Sequence, residues 1–157
     1  MRRASVDDDL ETLLAIQKES SLAGFAHIYP PERYPYPDDG VREQTLQTLA
    51  DGAVALIDDA EEGFALVTEG WLQKLYVRPS AWGTGVAREL HDAALAELRV
   101  LGGTEAQLWT LEHNDRARRF YEKRGWRLNG RTRVVPFPPN PIDVGYSVDL
   151  AQGAARV

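Results

Sequence analysis

Cysteine is absent from the 157 residues. That excludes disulfides, thiolate metal centres and a covalent cysteine mechanism. Histidine is scarce, and His27, His91 and His113 show no ligand spacing, so no metal is implied. No apolar run approaches a membrane span, and the opening MRRASVDDDL lacks the apolar stretch of a secretory signal, so a cytoplasmic, membrane-free protein is expected. Basic residues are sparse at first: residues 1–70 hold 5 Lys and Arg against 15 Asp and Glu, whereas residues 71–157 hold 13 against 9. The second part therefore suits a polyanionic partner and the first a cationic one, although solvation accounts for most surface charge. A net charge of −6 argues against a dedicated nucleic-acid binder.

What remains is an ordinary globular composition with 43% hydrophobic residues, enough for one domain over residues 1–150 and a frayed tail, AQGAARV, from 151 to 157. Residues 2–5 read as a first strand, followed by a helix over 8–20 capped by Asp7 or Asp8. Residues 24–40, GFAHIYPPERYPYPDDG, carry too much proline for a helix interior. Asp39 is expected to cap a helix over 41–50. Three apolar runs, 53–57, 63–68 and 71–77, are separated by turn signals and read as an antiparallel meander. A helix begins after Gly85 and ends before Gly102. A strand over 105–111, a helix over 114–124 and strands near 126–135 and 142–149 complete the chain.

Two constellations carry chemistry. In LYVRPSAWGTGVAREL, residues 75–90, a strand runs through Pro79 and Gly83-Thr84-Gly85 straight into an amphipathic helix. Glycines let backbone amides approach an anion closely, and a helix N-terminus adds unpaired N–H donors and macrodipole charge. The pattern by itself is weak evidence for anion binding and is more often that of a plain strand-to-helix turn. About thirty residues later, directly after a strand, comes Asn114-Asp-Arg-Ala117-Arg-Arg-Phe120-Tyr121-Glu-Lys-Arg-Gly125-Trp126. Read locally, Asn114 is a helix cap, Ala117, Phe120 and Tyr121 form a core stripe, and Gly125 with Trp126 ends the helix.

Together the two segments resemble the GNAT superfamily of acyl-CoA-dependent N-acetyltransferases. Val77, Pro79 and Ser80 through Gly85 follow the motif V-x-P then Q/R-x-x-G-x-G/A, with Ser80 standing where Gln or Arg is usual. Asn114, Ala117, Phe120, Tyr121, Gly125 and Trp126 follow N-x-x-A-x-x-F-Y-x-x-x-G-F/W. The resemblance covers nearly all of residues 2–150. It implies an α/β (α+β) layered sandwich, a mixed, mostly antiparallel sheet of six or seven strands flanked by about four helices.

The resemblance also implies transfer of an acetyl group from acetyl-CoA to a primary amine by direct attack in a ternary complex, with no metal. The amides of Gly83, Thr84, Gly85, Val86 and Ala87 would grip the coenzyme's diphosphate. Trp82 would cover that loop. Leu75, Tyr76 and Val77 would pair with pantetheine as an added strand, splaying from the strand at 105–111, with the Val77 N–H toward the thioester oxygen. The Asn114 side chain would bond the pantetheine arm, and Tyr121 would be the general acid that protonates the departing thiolate. Ser80 in place of the usual Gln or Arg should weaken coenzyme binding without abolishing it.

The family's usual basic Glu aligns with Trp71, which leaves Glu69, ahead of Glu112 and His113, as the expected proton acceptor. By the same resemblance the 24–40 segment covers the acceptor side. Phe25, His27, Tyr29, Tyr34 and Tyr36 would line an amphipathic pocket there, with Glu32, Asp38 and Asp39 attracting a cation. The missing Glu also admits a non-catalytic acyl-CoA-binding or regulatory module. A nucleotide-binding P-loop is disfavoured because no Gly-Lys-Ser/Thr follows. A homodimer is compatible with the resemblance, and neither the acceptor nor the acyl length is readable.

Overall fold

The protein, as a computed structural model, is described over residues 1–151; most of the expected tail, 152–157, lies outside the described residues. Seven strands form one sheet: β1 (Arg2–Arg3), β2 (Val54–Ile57), β3 (Gly63–Thr68), β4 (Trp71–Val77), β5 (Glu105–Leu111), β6 (Arg127–Val134) and β7 (Ile142–Asp149). Their order across the sheet is β1-β2-β3-β4-β5-β7-β6. Four helices cover it: α1 (Val6–Gly24), α2 (Asp38–Ala50), α3 (Val86–Val100) and α4 (Asp115–Lys123). The expected layered, mostly antiparallel architecture is borne out, as are the bounds of β3, β4, β5 and β7.

The sheet is antiparallel except where β4 meets β5, and that parallel pair is in register only at Trp71 and Gln107. The Gln107 N–H donates to the Gly70 carbonyl at 2.9 Å. Beyond that point the two strands part. A bulge contributes: Leu66 pairs with Lys74 but Val67 with Leu72, so Gln73 is an extra residue on β4 and the strand bends there. β5 instead keeps continuous pairing with β7 from Glu105 opposite Asp149 to Leu111 opposite Asp143.

Alternation along the strands sorts side chains to two faces. On one face Ala65, Val67, Val77, Ala106, Leu108 and Tyr146 pack with Leu90, Ala94 and Leu98 of α3 and with Tyr121 and Trp126. On the other, Ile57, Phe64 and Leu66 meet Leu13 and Ile16 of α1, with Tyr76 against the cluster.

Helix starts differ from expectation. α1 begins earlier and is capped by Ser5, whose extended backbone lets its Oγ accept the Asp8 N–H at 3.2 Å; Asp7 and Asp8 fall inside the first turn. Asp39 is likewise inside the first turn of α2, after Pro37, and makes no cap bond. In both cases acidic residues sit where the helix dipole favours negative charge, whether or not they cap.

α4 is bounded as the sequence motif suggested. Asn114 accepts the Ala117 N–H at 3.3 Å, while Gly125 donates to Glu122 O at 3.2 Å and Trp126 to Tyr121 O at 3.1 Å. Those two crossed bonds form a Schellman terminus, with Gly125 at φ +89°. Nothing lies within 4 Å of the position a Cβ would take at Gly125. Gly125→Ala should therefore act through backbone strain alone, destabilising by about 1 kcal/mol, which thermal unfolding would register as a drop of a few degrees in Tm.

Candidate active site

The turn after β4 is built to leave amides free. Pro79–Ala81 forms a single 3-10 turn, Gly83 and Gly85 adopt φ of +79° and +94°, and Gly85 precedes α3 without any side-chain cap. The first bond of the helix is Glu89 N–H to Gly85 O, so Val86, Ala87 and Arg88 have no intrahelical acceptor for their N–H groups. Thr84 closes the turn, its Oγ donating to Ala81 O at 2.5 Å. Trp82 is tied to the end of β4 by its Nε1–H donating to Val77 O at 2.8 Å, and the Arg116 guanidinium stacks over its ring at 3.3 Å. An uncapped helix start beside glycines and flanked by Arg116 is a cradle for an anion.

From that cradle a groove of about 250 Å³ runs past Val77 and Leu75 of β4 to Phe120 and Tyr121 of α4. A larger cavity of about 660 Å³ includes Lys74, Tyr76, Trp109 and Asp143 in its walls, roofed by the α1–α2 connection. The two share Leu75, Ala117 and Tyr121. The gap between β4 and β5 thus joins two compartments across the sheet.

Tyr121 stands at the junction, 7% exposed. Its ring is held edge-on by Phe120 at 5.3 Å and Trp126 at 5.8 Å, and its hydroxyl makes no hydrogen bond among the described residues. Burial pushes the phenol above its ordinary pKa, so it remains a proton donor at neutral pH.

Behind it, Trp126 donates through Nε1 to Nε2 of His91 at 2.9 Å. His91 must then be neutral with its proton on Nδ1, facing Asp92 at 3.0 Å, and its burial lowers its pKa accordingly. Arg118 clamps α4 to the sheet, donating to Tyr146 Oη at 2.9 Å and to Glu112 O at 2.8 Å.

Phe25, Tyr29, Tyr34 and Tyr36 line the larger cavity with Trp109 and Phe137. Burial, helped by nearby Asp143, pushes the Tyr29 phenol up to about 12. Asp143 is the one carboxylate among the described residues that line the cavity, 7% exposed, with Arg133 Nε donating to it at 3.0 Å. Burial raises its pKa above the usual carboxylate range despite that partner. Opposite in sign stands Lys74, whose Nζ donates to Gln17 Oε1 at 2.8 Å and Thr45 Oγ1 at 3.0 Å. Burial brings its pKa down to about 8.

Not every expected residue reaches the cleft. Leu75, Val77, Trp82, Gly83, Gly85, Ala87 and Tyr121 line the groove, while Tyr76 and Asn114 line the larger cavity. Thr84 and Val86 line neither, and the Thr84 N–H is already given to Ala81 O at 3.2 Å, whereas that of Val86 has no intrahelical acceptor. Glu69, expected on a strand face, lies exposed in the β3–β4 turn and outside both compartments, because β4 begins only at Trp71. Glu112 and His113 line neither compartment either.

His27 is exposed and bonds the His113 carbonyl through Nε2 at 2.9 Å, fastening the loop without entering the cavity. Glu32, Asp38 and Asp39 are exposed and do not line it. Lys18, paired with Asp38 at 2.9 Å, shows where part of that acidic charge goes. Asp143, Lys74, Arg133 and Trp109 were not singled out from the sequence. Alternation in IDVGYSVD, which sets Asp143 on the face opposite Val144 and Tyr146, was the one available signal for Asp143.

A split parallel pair, free amides at the start of the following helix and a buried tyrosine between two compartments define a cleft that opens on both sides of the sheet. A family model described as Acetyltransferase (GNAT) family matches residues 2–126, and the chain belongs to that family. It is 37% identical over 73 residues, 43% of this chain, to uncharacterized N-acetyltransferases of Mycobacterium bovis and Mycobacterium tuberculosis. The match spans about half of those relatives, 47% of their length.

Among solved structures, a GCN5-related N-acetyltransferase of Rhodopseudomonas palustris superposes with a TM-score of 0.76 at 20% identity, covering 94% of this chain and 93% of that one. The PaiA N-acetyltransferase of Thermoplasma acidophilum, solved in complex with coenzyme A, gives 0.68 at 20% identity over 94% and 96%. At these identities the likeness is one of fold.

The lowered pKa of Lys74 has a thermodynamic consequence. Its ammonium binds a proton less tightly in the folded chain, so native stability is reduced fully below about pH 8 and the penalty fades as pH rises toward 10.5. Relative to the native protein, Lys74→Met should lose up to roughly 3 kcal/mol of stability between those limits. Urea unfolding of both proteins at pH 7, 9 and 10.5 measures the difference.

Proposed function

We propose that this protein is an acetyl-CoA-dependent N-acetyltransferase in which a primary amine attacks the thioester directly within a ternary complex. The observation that carries the reading is the pair of compartments on either side of the sheet meeting at Tyr121. Acetyl-CoA supplies an activated acyl carbon.

The chain's own groups do the rest. The free amides of Gly83 and of Gly85 to Arg88, with Arg116 beside them, hold the diphosphate, while the Thr84 N–H is spent within the turn on Ala81 O. The unpaired edge of β4 at Leu75 to Val77 receives the pantetheine arm, because β5 has turned away. Donors aimed at a thioester oxygen stabilise the charge that develops there; the Val77 N–H is assigned that task. Tyr121, kept protonated by burial, gives its proton to the leaving sulfur.

Asp143 replaces Glu69 as the carboxylate that draws in the acceptor's ammonium and takes a proton, directly or through water. It lies beside Leu111, where β5 borders the gap, and its raised pKa makes it a better base than an exposed aspartate. The aromatic roof, with Phe25, Tyr29 and Tyr34, contacts the body of the acceptor.

Calorimetry with desulfo-CoA and thiol release across an amine panel test the reading. Tyr121→Phe should lower kcat tenfold or more with coenzyme affinity changed only a few-fold. Asp143→Asn should lower kcat/KM at least tenfold. Its acid limb should also vanish: activity of the native enzyme rises with pH as Asp143 loses its proton, at a pH above the usual ~3.9. Coenzyme binding without acetylation of any amine would favour the non-catalytic alternative.

A further inference from the structure

We infer that Lys74 anchors a carboxylate of the acceptor, so that the substrate is an amine bearing both an acidic group and an apolar or aromatic body. The inference rests on the larger cavity being the acceptor site and assigns that site its substrate class. Its basis is charge. Among the described residues the cavity is lined by three basic side chains, Arg33, Lys74 and Arg133, and one acidic side chain, Asp143. Arg133 is taken by Asp143. Lys74 makes no ion pair among the described residues and meets only neutral acceptors.

A half-buried cation without a counter-charge is held at a cost, and an anion that enters beside it is attracted more strongly than it would be in open water. Cavity geometry leaves room for one. The Thr45 hydroxyl donates its own proton to Val41 O at 2.8 Å, so it can only accept from Lys74. With Gln17 Oε1 it uses two of the three ammonium protons, and the third is left for a ligand oxygen. One remaining donor on a point charge matches one oxygen of a carboxylate.

Asp143 lies on β7 across the gap from β4, so a substrate with an ammonium at Asp143 and a carboxylate at Lys74 spans the aromatic enclosure between them. The acidic first part of the sequence had suggested a cationic acceptor. None of its carboxylates lines the cavity, whose lining among the described residues carries more cations than anions.

Two measurements test this. Calorimetric titration with 3-phenylpropionate and the uncharged 3-phenylpropanamide reads the anchor without turnover. Native protein should bind the acid at least tenfold more tightly than the amide, and Lys74→Met and Lys74→Gln should both lose that preference. Steady-state acetylation of phenylalanine, its amide and its phosphonate analogue reads the same discrimination as a ratio of kcat/KM, carried in KM. The ratio of acid to amide should exceed ten in the native protein and approach one in both variants.

Equal binding of acid and amide by the native protein, or an unchanged preference in both variants, would overturn the inference. Selective binding of the phosphonate over the carboxylate would also overturn it. Preference for the acid in binding with no acetylation of any amine would uphold the anchor and sink the transferase reading instead.

Discussion

One backbone contact organises this molecule. β4 and β5 are joined at Trp71 and Gln107 and nowhere else along their length. Parallel neighbours ordinarily share a ladder, and buried backbone groups ordinarily find partners. Here the bulge at Gln73 and the allegiance of β5 to β7 leave the inner edge of β4 without a strand beside it. A sheet opened in its middle exposes amides and carbonyls to a ligand and connects its two faces. The groove, the larger cavity and the position of Tyr121 all follow from that gap.

Around the gap, the two faces divide the work by charge. On the α3 and α4 side, uncapped amides and Arg116 favour an anion, and the hydrophobic packing of Leu90, Ala94 and Leu98 fixes the helix that presents them. Tyr121 is held there by a helix whose two ends are both defined, by Asn114 and by Gly125, and by Trp126 bonded to a buried neutral histidine. On the other side, the α1–α2 connection brings tyrosines over a floor that carries Lys74 and Asp143. Burial moves both of those groups toward neutrality, which is what low dielectric does to any charge it surrounds.

Much of this was legible in advance where the chemistry is local. Strand bounds at 63–68, 71–77, 105–111 and 142–149 follow from apolar runs between turn residues. The glycine turn and the Asn114 to Trp126 helix are readable because each is a contiguous segment with its own start and stop signals. Glu69 shows the limit of such local reading: it is near Trp71 in sequence, but one turn residue separates it from the strand and leaves it exposed and outside both compartments. Ser5 rather than Asp7 or Asp8 capped α1, since backbone geometry at the entry chose among adjacent polar residues. His27 was grouped with the aromatic residues around it and instead tethers the loop.

The sequence by itself determined the elements, their order and the glycine turn that opens α3, because propensity, caps and glycine conformations act over a few residues. Tertiary structure alone decided which charges share a cavity. Lys74 and Asp143 are far apart along the chain and come together only through strand order and the split between β4 and β5. Their altered proton affinities arise from desolvation on burial in the folded chain, a property of surroundings that no linear pattern encodes.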